Sequence, residues 1–169
     1  MWYVIQTQTG KEEKIKQLIE ARVPGEFYED VRIIYYESKR KYEGKWHLEK
    51  KTMFPGYLFI VTDRIDDVRI GLKKVPELTK VLGYGDEIVP ITAKEEAFLD
   101  RISNDEHTVE MSYGIQDGDR IIVRQGVLKG MESIIRKIDR HKRKAFIEVE
   151  ILGELRQVEI GLEIVEKRP

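Results

Sequence analysis

Two stretches of this sequence carry side chains whose types and spacing suit recognition of another macromolecule. The first, Met53-Phe54-Pro55-Gly56-Tyr57-Leu58-Phe59-Ile60-Val61, breaks at Pro-Gly and then runs on as an unbroken apolar, aromatic and β-branched segment, the composition of a strand in a buried sheet. Alternation puts Tyr57, Phe59 and Val61 on one face of that strand and Leu58 and Ile60 on the other. If one face fills the core, the other offers aromatic surface with Phe54 beside it at the turn, and such surface docks partners. The competing reading places all three aromatics in the core. The second stretch, Arg136-Lys137-Ile138-Asp139-Arg140-His141-Lys142-Arg143-Lys144, sets six lysines and arginines beside one aspartate across a turn. At strand spacing several of them fall along one edge, with Lys129 nearby, and suit the phosphates or groove of an RNA hairpin. The plainer alternative is a solvated turn, where charge costs nothing.

Catalysis is not expected. His47, His107 and His141 are the only histidines, there is no cysteine, and none of the three stands at metal-ligand spacing from a partner. No phosphate loop, nucleophile elbow or carboxylate pair placed for acid–base work is present. Neither a metal nor a cofactor is therefore anticipated. Charged residues make up 36% of the 169 residues yet cancel to a formal net charge of −1, so any nucleic-acid contact must come from local patches. Residues 117–169 carry 12 Lys and Arg against 10 Asp and Glu, which keeps a basic surface there local too. The absence of disulfide chemistry, of an N-terminal leader and of any apolar run near the ~18 residues of a membrane span gives the expectation of a cytoplasmic protein with no membrane partner.

The positioning elements follow from local pattern. Residues 2–6 read as a strand with Trp2 and Tyr3 in the core, and Thr9-Gly10-Lys11-Glu12 as a capping box opening a helix that buries Ile15, Leu18, Ile19 and Val23 and stops at Pro24-Gly25. Residues 31–36 read as a strand. Residues 37–51 read as a Gly-centred β-hairpin extending into solvent, with Lys39, Arg40, Lys41, Lys45, Lys50 and Lys51 on its arms. Ile65, Val68, Leu72 and Val75 recur at helical spacing before Pro76. Residues 78–82 read as a short strand, and Thr92-Ala93-Lys94-Glu95 as a second capping box opening a helix that buries Ala93, Phe98, Leu99 and Ile102. Together these predict an α+β domain over 1–103, one sheet with helices against it. Residues 104–116 show no period and read as a linker. From residue 117 short strands at 120–124, 132–138, 145–151, 154–159 and near 164 predict a small closed β-barrel.

Trp2-Tyr3-Val4, the capped helix, Phe54-Pro55-Gly56-Tyr57, and Gly118-Asp119-Arg120-Ile121 followed by Gly126-Val127-Leu128-Lys129-Gly130-Met131 resemble, in this order, the NusG family of transcription elongation factors. The resemblance covers nearly the whole chain. It implies an antiparallel NGN domain flanked by helices, docking on the clamp helices of bacterial RNA polymerase through Phe54, Tyr57 and Phe59, and an SH3-like KOW barrel over 117–169. It also implies that Lys73 and Lys74 lie near the non-template DNA strand, although two lysines closing a helix are equally explained by the helix dipole. The long hairpin, with Trp46 and His47, is a further candidate surface for DNA or polymerase.

The departures narrow the expectation. Gly126-Val127-Leu128 lacks the proline and aromatic with which the general factor contacts a ribosomal protein and Rho, and Ser133 stands where a second glycine is common. Val68-Arg69-Ile70 does not reproduce the threonine-rich segment of the paralogue RfaH. The chain looks more like the specialised LoaP-type branch. The expected function is that of a monomeric factor that binds RNA polymerase and promotes processive antitermination while its barrel holds a nascent RNA hairpin. The alternatives are a general NusG-type factor coupling polymerase to Rho or the ribosome, and a ribosome-associated KOW RNA-binding protein, the latter expected to be strongly basic.

Overall fold

A computed structural model of the chain describes all residues except Leu78. In chain order it contains β1 (Trp2–Gln6), α1 (Glu12–Arg22), a 3-10 turn (Gly25–Phe27), β2 (Asp30–Arg32), β3 (Tyr35–Tyr42), β4 (Lys45–Thr52), β5 (Tyr57–Val61) and α2 (Ile65–Leu72). There follow β6 (Lys80–Val81), β7 (Gly83–Tyr84), β8 (Glu87–Ile88), α3 (Ala93–Ile102), β9 (Thr108–Val109) and β10 (Ser112–Asp117). The chain closes with β11 (Arg120–Gln125), a 3-10 turn (Glu132–Ile134), β12 (Ile135–Asp139), β13 (Lys144–Ile151) and β14 (Glu154–Arg168). These residues divide into two compact units, Met1–Ile33 with Phe54–Phe98, and Ile34–Met53 with Leu99–Pro169.

The first unit is built on a sheet of order β2-β5-β1-β6. β1 and β5 pair antiparallel with Val4 opposite Phe59 and Tyr3 opposite Ile60. All five residues of β5 are buried, so the expectation that one face of this strand stays open is corrected. An antiparallel strand covered on both faces carries a continuous apolar run instead of an alternating one, and Tyr57 to Val61 is such a run. Trp2 and Tyr3 are buried as expected, and Ile15 and Ile19 of α1 and Val68 and Leu72 of α2 are buried with them.

Local signals held to different degrees in this unit. At the start of α3 the reciprocal box forms, Glu95 N donating to Thr92 Oγ1 at 3.1 Å and Thr92 N to Glu95 Oε1 at 2.9 Å. Leu99 and Ile102 are buried on that helix, whereas Ala93 is exposed and Phe98 half-buried. At the start of α1 the box does not close. Lys11 holds the cap position without a side-chain bond, and Glu12 accepts instead from Gly10 N at 2.6 Å and from Gly56 N at 3.0 Å. The strand expected over 31–36 is two strands, β2 and β3, in different sheets. Of the strand expected over 78–82, Leu78 lies outside the described residues and the observed strand is β6. The small antiparallel pair β7–β8 gave no periodic signal.

The second unit begins with the hairpin β3–β4, paired from Tyr35↔Thr52 to Tyr42↔Lys45. Its turn is Glu43-Gly44, both at positive φ, 53° and 75°, as in a two-residue type I′ turn. β9 joins β3 in parallel. The remaining strands form a sheet of order β11-β10-β14-β13-β12. Residues 104–116, read as a linker, hold β9 and most of β10. The two strands expected at 154–159 and near 164 are one continuous strand, β14, and residues 132–134 are a 3-10 turn ahead of β12. Leu128, Ala145, Ile147, Val149, Ile151, Val158, Ile160 and Leu162 form the core of this unit.

Candidate functional site

In the first unit the Pro-Gly break is a built feature. Gly56 has φ +83°, and a Cβ there would lie 2.9 Å from the Thr7 carbonyl oxygen, whose own amide donates to Gly56 O at 2.8 Å. Only glycine fits a left-handed residue whose backbone is approached this closely. With Glu12 receiving Gly56 N, the turn that starts β5 is tied to both the β1–α1 connection and α1. Behind it, Phe59 is fully buried and meets Phe54 edge-on at 5.6 Å and Trp2 edge-on at 6.2 Å between ring centroids. Phe54 is 3% and Tyr57 7% exposed. The structure thus brings Phe54 and Phe59 into one ring cluster with Trp2, and all three expected docking aromatics, Tyr57 included, are part of the core.

Lys73 and Lys74 follow the end of α2 and are exposed. Their amides donate to Ile70 O and Gly71 O, and the Lys74 carbonyl accepts from Arg22 Nη1 at 3.4 Å. Lys73 also lines a cavity of about 650 Å³ whose walls include Arg69 and Lys80 but also Glu77, Asp86 and Glu87. The mixed signs give that cavity no net pull on an anion.

The second unit holds the basic tract, and here the tertiary structure redistributes roles. β12 and β13 are joined by the turn through Arg140 to Arg143; Asp139 Oδ1 receives Lys142 N at 3.0 Å, and Arg143 sits at φ +52°. Backbone bonding from Lys142 holds the Asp139 carboxyl below its ordinary range. Arg136 donates to Ser133 O at 2.7 Å and faces Glu148 at 3.5 Å, while Lys137 lies over the Phe146 ring at 5.6 Å. Lys129, Arg136, Lys137, Arg140 and Lys142 are exposed. Arg143 and Lys144 are half-buried and turned inward.

Their partners lie on β14, where Glu159, Gly161 and Glu163 share one face by alternation. Lys144 Nζ donates to Glu159 Oε1 at 2.8 Å, and the Tyr36 hydroxyl of β3 donates to Glu159 Oε2 at 2.8 Å. Arg143 Nε donates to Glu163 Oε1 at 3.1 Å, and Lys39 Nζ of β3 to Glu163 Oε2 at 2.5 Å. Between the two acids, a Cβ on Gly161 would collide with Glu37 O and Met111 Sδ, so glycine is what lets β3 cross β14 at backbone contact. The hairpin is therefore not free in solvent along its length; its base is tied to β14, and residues 41–46 at its tip are exposed.

The electrostatics follow from these bonds. Burial pushes the Tyr36 phenol up, and its bond to Glu159 raises it further, well above the ordinary phenol range. Burial alone would raise Glu159 and Glu163, but the donors Lys144 and Tyr36 on the first, and Lys39 and Arg143 on the second, hold both below the ordinary carboxylate value. Lys39 is raised, Glu163 outweighing the desolvation that would lower it. At the tip, the Arg143 guanidinium lies 3.5 Å from the Trp46 ring centroid, Tyr42 stacks on His47 at 3.6 Å with 13° between planes, and Arg40 lies 5.1 Å over Tyr42.

Sequence reasoning placed the cations of the tract but not which acid each one meets. The signal that existed was Glu159-x-Gly161-x-Glu163, a period-2 pair of acids flanking a glycine inside an otherwise apolar strand. Among the described residues no group of three or more histidines and carboxylates is placed to hold a metal, and no helix is long and apolar enough to cross a membrane.

This mixed α/β architecture matches a known one. The chain is similar to a solved structure described as the domain interaction in Thermotoga maritima NusG, with a TM-score of 0.53 and 23% identity over 96% of this chain and 93% of that one. Transcription termination/antitermination protein NusG of Bacillus subtilis is 27% identical and that of Borreliella burgdorferi 26%, each comparison covering 98% of this chain and 97% of the relative. The family model described as transcription termination factor nusG matches residues 1–99. The chain belongs to the NusG family, whose members are transcription factors without catalytic activity.

Proposed function

We infer that this chain is a factor that rides on bacterial RNA polymerase and promotes processive antitermination, a specialised member of LoaP type. Residues 1–103 act as the polymerase-binding domain, 104–116 as the connection, and 117–169 as a KOW module of SH3-like barrel type that binds a nascent RNA hairpin. Phe54, Tyr57 and Phe59 serve docking as the rigid aromatic floor of the clamp-binding face, held by Gly56 and Glu12. Lys73 and Lys74 approach the non-template DNA. The observation that carries the RNA assignment is the β12–β13 turn, where Arg140 and Lys142 are exposed, with Arg136 and Lys137 on β12 and Lys129 ahead of it also exposed, cations suited to phosphates. Arg143 and Lys144 support that surface from beneath. By favouring the active over the paused polymerase such a factor acts through populations, with no chemistry of its own.

The test is co-elution with bacterial core RNA polymerase followed by read-through of a terminator placed downstream of a stem-loop leader. The wild type binds and raises read-through; Arg140→Glu with Lys142→Glu still binds polymerase and loses the leader-dependent part. A wild type that does not bind polymerase overturns the reading. A general factor, working with Rho or the ribosome, is the second reading, favoured by the curated relatives, which bear the name NusG; read-through independent of any leader would select it.

A further inference from the structure

The tip of the β3–β4 hairpin and the β12–β13 turn meet at one point. Arg143, the last residue of the turn, lies over Trp46, the second residue of β4, with 3.5 Å between the guanidinium carbon and the ring centroid. Trp46 nonetheless stays 40% exposed and Tyr42 41%. Large aromatics are usually withdrawn from solvent; here two stand exposed at a hairpin tip, on opposite faces of it, because Trp46 pairs with Lys41 and Tyr42 with Lys45. Tyr42 is engaged by His47, stacked at 3.6 Å, and by Arg40, whereas Trp46 carries Arg143 and faces the β12–β13 turn. Lys41, opposite Trp46 on the same face, and Arg140 and Lys142, in the turn that Arg143 closes, are exposed. The acids of this corner are few or engaged: Glu49 faces Arg40 at 3.1 Å, Glu163 receives Arg143 and Lys39, and Asp139 caps the turn, which leaves Glu43 at the hairpin turn.

Open aromatic faces beside cations are the combination that holds unpaired bases, the ring stacking on the base and the cation taking the phosphate. A paired stem buries its base faces and offers nothing to such rings. We propose that the Trp46 face of the hairpin tip and the β12–β13 turn form one RNA surface, on which an unpaired base of a loop or bulge stacks against Trp46 while Arg140 and Lys142 hold the adjoining phosphates. The proposal rests on the RNA-binding reading above and extends it in two ways. It adds to the site a segment more than ninety positions earlier in the chain, and it makes the loop, rather than the stem, the recognised part. Arg143 has a defined job in it: it stiffens Trp46 from behind, so that less ring freedom is lost when a base arrives.

The experiment uses the full chain with three probes: a stem-loop RNA pool with a randomised loop, the same stem as a blunt duplex, and the loop pool as single-stranded DNA. Anisotropy reads affinity, and tryptophan emission reads stacking, because Trp2 is 4% exposed and only Trp46 can meet a base. Expected are preference for the stem-loop, quenching of Trp46, an affinity loss of about tenfold for Trp46→Ala, little change for Tyr42→Ala on the opposite face, and recovery of most of the Trp46 loss in Trp46→Tyr. Equal binding of the blunt duplex or of the DNA overturns the proposal. So does binding that is lost in Arg140→Glu with Lys142→Glu but is neither quenched nor weakened by Trp46→Ala, an outcome that leaves the RNA-binding reading standing. If the wild type holds none of the RNA pool, both fall together.

Discussion

The Tyr36 hydroxyl donates a 2.8 Å hydrogen bond to Glu159, 123 positions later in the chain. Tyr36 is 3% exposed, so the bond is sheltered on one side, and its acceptor is charged. Tyr36→Phe keeps the ring packing and removes only the donor. A bond to a charged, partly exposed acceptor of this kind contributes about 1 kcal/mol, and the variant is expected to lose about that much in urea unfolding. An unchanged midpoint would show that Lys144 alone satisfies Glu159.

The same cluster sets the pH response. Glu159 and Glu163 are held below the ordinary value of 4.5 by their donors. Their contribution to stability is complete above that value and is lost as pH falls through their lower folded-state values, because the unfolded chain takes up protons first. On the alkaline side Tyr36 is raised above 10.0 and Lys39 above 10.5, so their contribution is full below those values and declines as pH climbs past them. Glu159→Gln with Glu163→Gln should be less stable than wild type at neutral pH and show a shallower fall as pH drops below 4.5. Parallel acid curves would contradict this account.

Gly56→Ala places a Cβ 2.9 Å from Thr7 O at φ +83°. The left-handed strain and the contact with fixed backbone together are expected to cost about 2–4 kcal/mol, read as a lowered melting temperature. A loss below about 0.5 kcal/mol would mean that the β1–α1 connection yields easily.

A gain is expected at the hairpin turn. Glu43 occupies a left-handed position at φ 53° ahead of Gly44, where asparagine is far better suited than glutamate. Glu43→Asn should stabilise the protein by up to about 1 kcal/mol. A decrease would show that Glu43 has a role outside the turn.

What could be read from residues alone were features decided within a few positions. The β3–β4 hairpin was legible because Glu43-Gly44 between polar arms encodes its own turn, the α3 box because Thr92 and Glu95 are three apart, and β5 because its apolar run is long and unbroken. The first turn of α1 was misread because Glu12 has a competing partner, Gly56, that no local pattern announces. Residues 104–116 read as linker because β9 and β10 owe their pairing to β3 and β14, not to their own periodicity. The basic tract was visible as composition, but which of its cations face solvent was not: Arg143 and Lys144 are turned inward by acids on β14, and β14 faces β3 at Gly161. Sequence by itself determined the elements with a strong local signal, the hairpin turn and the family resemblance; tertiary structure decided that Phe54, Tyr57 and Phe59 are all buried and that Trp46 stands beside Arg143. The reason is physical: periodicity and capping act over about four residues, whereas the meeting of two strands is settled by the packing of the whole unit.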